Sequence, residues 1–262
     1  MRLVTWNINS VRLRAPLVRR LVDEIAPDVV CLQETKVVDE LFPHDEFAEL
    51  FPHRHARGMK AYNGVAILSR IPFTQTGGQD WCGRPDARHV SATFAGGVEL
   101  HDFYVPSGGD EPDPAINDKF AHKLQFLDEL TAWSREQSSP RAKRILVGDL
   151  NIAPLEHDVW SHKQLLNVVS HTPVEVDRLQ QLQAAHDWVD AVRHFVPESE
   201  KLYSWWSYRA RDWRASNRGR RLDHVWVTPA LKSNLQSASV FADARDWTKT
   251  SDHAPVVVDI DL

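Results

Sequence analysis

Apolar residues in this chain come in two rhythms. Short runs rich in β-branched side chains have the length and composition of buried strands: Leu3-Val4-Thr5-Trp6, Val29-Val30-Cys31-Leu32, Ile145-Leu146-Val147, Val225-Trp226-Val227 and Val256-Val257-Val258. Longer segments repeat with the helical period. Leu13, Leu17, Leu21 and Ile25 share one face of a predicted helix over 11–26, which leaves Arg12, Arg14, Arg19 and Arg20 on an exposed face. Phe120, Leu124, Leu127, Leu130 and Trp133 mark another over 117–137. The full pattern predicts strands at 2–7, 28–34, 64–69, 88–94, 98–105, 143–148, 202–206, 222–228, 237–242 and 255–261. It adds a short helix near 39–50 and several helices across 155–195, with Trp160 and Trp188 in the core. Loops 106–115 and 207–219 are the longest polar stretches. No composition break or internal repeat divides the chain, so residues 1–262 read as one domain.

The strand-like runs end or begin in the same kind of group. Ile145-Leu146-Val147 runs into Gly148-Asp149-Leu150-Asn151, Leu3 to Trp6 into Asn7-Ile8-Asn9, and Val29 to Leu32 into Gln33-Glu34-Thr35-Lys36. Asp223-His224 opens the run at 225, and Ser251-Asp252-His253 precedes the run at 256. Taken singly, such residues are ordinary turn formers. Buried strands that end in polar groups are nevertheless costly unless something binds those groups, and five such ends form one constellation. Glu34 with Asn7 and Asp252 offers the hard oxygen ligands that suit Mg²⁺. Zinc fits poorly, because neither Cys31 nor Cys82 has ligand spacing to a histidine.

Composition narrows the class. Hydrophobic residues make up 42% and charged residues 26%, which are globular values, and no apolar run is long enough to span a bilayer. Met1-Arg2-Leu3 leads directly into a strand rather than a signal peptide, and two cysteines make no disulfide framework, so a cytoplasmic protein is expected. The net charge of −5 runs against a nucleic-acid partner, but its distribution does not. Lys201, Arg209, Arg211, Arg214, Arg218, Arg220 and Arg221 cluster with only Asp212 among them, interleaved with Trp205, Trp206, Tyr208 and Trp213. Arginine with aromatic side chains suits phosphate pairing and base or sugar contact.

The ordered set Trp6-Asn7-Ile8-Asn9, Leu32-Gln33-Glu34-Thr35-Lys36, Tyr104-Val105-Pro106, Gly148-Asp149-Leu150-Asn151, Arg221-Leu222-Asp223 and Ser251-Asp252-His253-Ala254-Pro255 resembles the exonuclease III family of abasic-site endonucleases over nearly the whole chain. Single motifs are shared with a wider superfamily of phosphatases and sphingomyelinases. The Gln-Glu-Thr-Lys and Tyr-Val-Pro contexts and the Arg/Trp segment point to the DNA-repair branch. The resemblance implies an α/β fold, a four-layered sandwich of two packed mixed β-sheets flanked by helices, with the site at one end. It implies a monomeric, Mg²⁺-dependent phosphodiesterase, with Mn²⁺ as a possible substitute. Such an enzyme acts on double-stranded DNA with abasic sites or 3′ ends and has no membrane partner.

Roles follow the same resemblance. Tyr104, Asp149, Asn151, Asp223 and His253 are the expected catalytic residues. Asn7, Glu34, Asp149, Asn151, Asp252 and His253 are the expected metal-binding residues, and Trp205, Arg209, Arg214, Arg218 and Arg220 the DNA contacts. Asp149 and the Asp223–His253 pair both remain open as general base. Three positions depart from the family pattern: Ser107 stands where relatives often carry Asn or Gln, and Asp110 where some place a DNA-penetrating Arg. Arg220 stands where relatives build an apolar wall of the abasic-sugar pocket. A superfamily phosphatase would share the catalytic set but lack the Arg/Trp segment, and a binding module would have lost catalytic residues that are all present here.

Overall fold

A computed structural model describes residues 1–262. The first half runs β1 (Arg2–Asn7), α1 (Val11–Ile25), β2 (Val29–Gln33), α2 (His44–Phe47), β3 (His53–Arg57), β4 (Val65–Ser69), β5 (Phe73–Gly77), β6 (His89–Phe94), β7 (Glu99–Tyr104) and α3 (Asp118–Glu136). The second half runs β8 (Arg144–Asp149), α4 (His162–Leu165), α5 (Pro173–Ala184), β9 (Val189–Asp190), α6 (Ala191–Phe195), β10 (Trp205–Trp206), α7 (Trp213–Ser216), β11 (Gly219–Arg220), β12 (Asp223–Val227), β13 (Leu235–Val240) and β14 (Val256–Ile260). Two six-stranded sheets result, in the orders β13-β14-β1-β2-β4-β3 and β5-β6-β7-β8-β12-β9. Both are mixed: β1–β2 and β7–β8 are parallel, and the other pairs are antiparallel. The expected α/β sandwich of two mixed sheets flanked by helices is therefore present.

The period-two alternation of each strand sorts its side chains between layers. Leu3, Val29, Cys31, Ile67, Leu100, Ile145, Val147, Val225, Val256 and Val258 fill the space between the sheets. Their neighbours Val4, Trp6, Val30 and Leu32 pack outward against Val11, Ala15, Val18 and Leu21 of α1. Phe103, Leu146 and Trp226 pack against Phe126, Leu127 and Leu130 of α3 and Leu179 and Leu182 of α5. Each large side chain buried this way contributes about 1.5–3 kcal/mol relative to exposure.

Several local expectations are corrected. Strands β3 and β5 escape the hydrophobic reading because both are edge strands with polar sequences, HRHAR and FTQTG; charged edges discourage pairing with other chains. Helix α1 buries Val11, Arg14, Ala15, Val18, Leu21 and Val22, so its inward face is rotated from the expected one, and Leu13 is exposed. Arg14 is buried because its guanidinium serves the carbonyls of Ile8 and Lys249 and the Tyr208 hydroxyl. The helical stretch expected over 155–195 is broken into short pieces around α5, whose start is fixed by a Thr172/Glu175 capping box. No helix is long and apolar enough to cross a membrane.

Candidate active site

The inner-face alternation that fills the core turns polar at one end of the sandwich. Thr5 is followed on that face by Asn7, Asp102 by Tyr104 and Val147 by Asp149, while β12 begins on the same face with Asp223. The register places Asp149 opposite Asp223 and beside Tyr104. Gly148 makes this possible: its φ is +134°, and a Cβ there would lie 1.9 Å from the Phe103 carbonyl oxygen. Only glycine lets β8 come this close to β7 immediately before the carboxylate.

Asp149 is the hub. Its Oδ2 accepts from Asn7 Nδ2 at 2.9 Å and lies 3.7 Å from His253 Nε2, while its Oδ1 accepts from the Asn151 amide at 2.9 Å. Asn7 also donates to Glu34 Oε1 at 2.8 Å, joining the carboxylates of the two sheets. Glu34 and Lys36 both sit in the left-handed region, with φ of 52° and 55°. That turn brings the Lys36 ammonium to 2.7 Å from Glu34 Oε2. Asp223 Oδ2 lies 2.8 Å from His253 Nδ1 and accepts from the Ser204 hydroxyl at 2.6 Å. Asp252 accepts from Asn9 at 3.2 Å and from the Trp205 indole at 2.9 Å.

Electrostatics separate these groups by role. Burial pushes the Asp149 carboxyl up, to about 7, against the attraction of His253, and the Asp223 and Glu34 charges push the same way. Burial acts to lower the His253 imidazole, but Asp223 and Asp149 outweigh it and raise the group to about 10. Glu34, despite burial, is held below its usual range by Lys36, and Asp252 likewise by His253 and Trp205. Burial and the nearby Glu34 and Asp149 charges keep Tyr104 a phenol.

A cleft of about 560 Å³ opens above this floor, bounded by Glu34, Tyr104, Asp149, Asn151, Asp252 and His253. Its walls carry Trp205, Arg209, Arg218 and Arg220 of the expected DNA-contact set. Trp160 lines it too, with the Arg218 guanidinium 4.7 Å above its ring, and is therefore a wall residue rather than a core one. Arg220 lies over the Trp205 ring at 5.3 Å and donates to the Val169 carbonyl and Ser170 hydroxyl. Arg214 is not brought to the cleft: its guanidinium is paired outside with Asp243 and Asp246. Asn7 reaches the floor from beneath. It is fully buried, with its Oδ1 committed to the Asn9 amide, so it tethers carboxylates rather than facing the cleft.

Sequence reasoning missed a second groove that adjoins the first at Tyr104 and Ser107. Exposed Tyr62, Arg84 and Lys119 line it, with Arg88 half-buried and His122 buried at its base. The cations come from the 84–88 loop and the start of α3, and no spacing links them; a basic residue count around the Tyr104 strand was the only available signal.

The donor set on the floor favours a hard divalent cation. Glu34, Asp149, Asp252 and Asn151 offer oxygen, and no cysteine lines the cleft. The trio Asp149, Asp223 and His253 also has ligand atoms within 4.8 Å of one another. We read it as a proton and charge network, because its histidine Nδ1 is engaged by Asp223.

Residues 4–253 match the endonuclease/exonuclease/phosphatase family. The exodeoxyribonuclease III of Haemophilus influenzae is 29% identical over 98% of both chains. An AP endonuclease from Archaeoglobus fulgidus superposes with a TM-score of 0.92 at 29% identity, covering 100% of each chain. A 3′ phosphatase from Neisseria, solved with a product DNA hairpin, gives 0.90 at 30% identity with the same coverage. The chain belongs to the endonuclease/exonuclease/phosphatase family, in the branch of exodeoxyribonuclease III and the abasic-site endonucleases.

Proposed function

We propose that this protein is a divalent-metal-dependent DNA-repair nuclease, a monomeric single-domain hydrolase of the cytoplasm. It incises duplex DNA 5′ to abasic sites and removes nucleotides or blocking groups from 3′ ends. One observation carries the reading: a buried, poorly compensated Asp149 stands beside a cationic His253 on the floor of a cleft walled by arginine and tryptophan. Asp149 is the general base. A carboxylate poised near neutrality suits that task, whereas His253, already protonated, cannot take a proton. Asp149 accepts a proton from water as the water oxygen bonds to phosphorus. The bond from phosphorus to the 3′ oxygen breaks, and that oxygen takes up a proton from solvent water.

His253 holds its proton on the phosphoryl oxygens, with Asp223 fixing the ring, and Tyr104 donates its phenolic hydrogen to the same group. Asn151, pinned by its bond to the Val105 carbonyl, orients the water or the phosphate. Mg²⁺, with Mn²⁺ as a substitute, would be held by Glu34 with Asp252 and the Asp149 side, and would neutralise charge on the phosphate. Arg209, Arg218 and Arg220 would follow the DNA backbone, and Arg84 and Lys119 of the neighbouring groove would extend that path, Arg88 being already paired with Asp86.

The relatives divide between abasic-site incision and 3′-end processing, so the decisive assay uses both substrates. Purified protein with Mg²⁺ should cut an end-labelled duplex carrying one abasic analogue and should trim or dephosphorylate 3′ ends. Glu34→Gln or EDTA should abolish both. Undiminished cleavage in EDTA would remove the metal from the mechanism. Failure on every DNA substrate, with turnover of a small phosphate ester, would favour a superfamily phosphatase instead.

A further inference from the structure

One layer beneath the cleft floor, Asp102 of β7 is completely buried between the sheets, with no cation paired to it. Gln33, the last residue of β2, donates its Nε2 to Asp102 Oδ1 at 2.6 Å and to the Thr5 hydroxyl at 2.9 Å. The bridge thus joins β1 and β2 of one sheet to β7 of the other. The remaining oxygens of this same pair, Gln33 Oε1 and Asp102 Oδ2, are both buried without a hydrogen-bond partner. An ionised carboxylate cannot repair this, because it has only acceptors to offer. A carboxylic acid can, by donating one hydrogen to Gln33. Two orphaned acceptors on a single bonded pair are therefore satisfied by one proton.

We propose that Asp102 is held as the neutral acid and forms a two-way hydrogen-bonded pair with Gln33, a positioning device that sets the separation of the two sheets under the active site. The residues it governs are close in sequence: Glu34 follows Gln33, Asn7 follows Thr5 by two, and Tyr104 follows Asp102 by two on the same face. Burial drives the Asp102 carboxyl well above its usual range, opposed only by Gln33 and the Ala66 backbone amide. The other titratable group facing it is Cys31 of β2, whose thiol is raised by burial and by any charge on Asp102, so it too stays neutral. His89 and His101 pack with Trp81 and Trp133 on the opposite face of β6 and β7 and offer no cation.

Asp102→Asn tests the proton, since a carboxamide makes the same two bonds without titrating. At neutral pH the infrared difference between wild type and D102N should contain the carbonyl stretch of an undissociated acid. Wild type must retain a proton that its unfolded chain releases. The ratio of its unfolding constant to that of D102N should therefore rise by up to about tenfold per pH unit above about pH 4. A missing acid band, or a ratio independent of pH, would overturn the proposal.

Asp102→Leu tests the positioning and strands both Gln33 polar atoms. It should lower kcat on the labelled duplex and weaken Mn²⁺ binding, measured without DNA, by tenfold or more. KM should change little, and D102N should stay within a few-fold of wild type in kcat, KM and Mn²⁺ affinity. If D102L fails to fold, Asp102→Ser, too short to span both Gln33 atoms, takes its place. Wild-type kcat and Mn²⁺ affinity in these variants would refute the positioning role. Only the kcat arm rests on the nuclease reading; the infrared, stability and Mn²⁺ results stand whether or not DNA is cut.

Discussion

Two buried charge networks lie within a few residues of each other in this molecule, and they have opposite characters. In one, Arg221 grips Asp158 with two bonds of 2.9 and 2.8 Å and reaches Asp190 at 2.6 Å, while Arg193 closes on Asp158 at 2.5 Å. Two carboxylates meet two guanidiniums, and despite burial Asp158 is held below its usual range by Arg221 and Arg193. In the other, Asp149, Asp223 and Asp252 share the single imidazole of His253, and burial wins at Asp149. The first network is saturated and anchors the β11–β12 segment. The second is short of positive charge, which is the condition under which a cation, a phosphate-bound metal or a proton in transit has something to do. Burial of charge alone does not mark function; the deficit does.

The sharpest break of this contrast comes from removing carboxylates on the deficient side. Asp149→Asn and Asp223→Asn should each lower kcat by about 10²–10⁴, with folding intact, in single-turnover assays on the abasic duplex. A mutant within a few-fold of wild type would reclassify that carboxylate as structural. On the saturated side the same substitution should act on stability instead. Asp158→Asn leaves Arg193 without a carboxylate and Arg221 with Asp190 alone, and should cost about 3–5 kcal/mol in urea unfolding, while the folded fraction keeps its turnover.

The pH profile sharpens the comparison further. Turnover should rise as Asp149 loses its proton through about 7 and fall as His253 loses its own near 10, with a bound divalent cation drawing the acid limb lower. Stability runs the opposite way at Asp149. Asp149, raised on folding, stabilises below its unfolded value and loses that contribution as pH climbs through about 7. Asp158, lowered on folding, contributes above the unfolded value and loses it in acid. Asp223→Asn should move the alkaline limb of turnover downward, whereas Asp158→Asn should leave it in place. The smallest effect concerns surface charge: Arg218→Ala should reduce the slope of log K for DNA against log salt by about one unit. Arg214→Ala, whose guanidinium is already neutralised by Asp243 and Asp246, should leave the slope unchanged.

Much of the site was legible because strand alternation is rigid. Asn7, Asp149 and Asp223 sit on the same face as the core residues two positions away, so a reading of runs and their ends finds them. The arginine wall of the cleft was readable only as composition: Arg209, Arg218 and Arg220 reach the cleft, and Arg214 does not, because its fate depends on acids 29 and 32 residues downstream. Arg14 was misread because a helical wheel cannot show that carbonyls from distant loops await its guanidinium. Asp102 was invisible for a related reason, since a lone carboxylate in an apolar strand acquires meaning only when Gln33 of the facing sheet is known. Edge strands β3 and β5 lack the apolar signal because one side of each has no neighbour to bury.

Trp6 donates its indole hydrogen to the His253 carbonyl, and the Ser251 hydroxyl bonds the Asn7 carbonyl, so the two ends of the chain meet beneath the cleft. The catalytic floor is consequently a product of final assembly. Glu34 and Asp149 come from two different sheets, and they have no imidazole beside them until the segment 251–253 docks and β14 closes against β1. Loss of that single strand pairing would therefore dismantle the site while leaving most of both sheets intact.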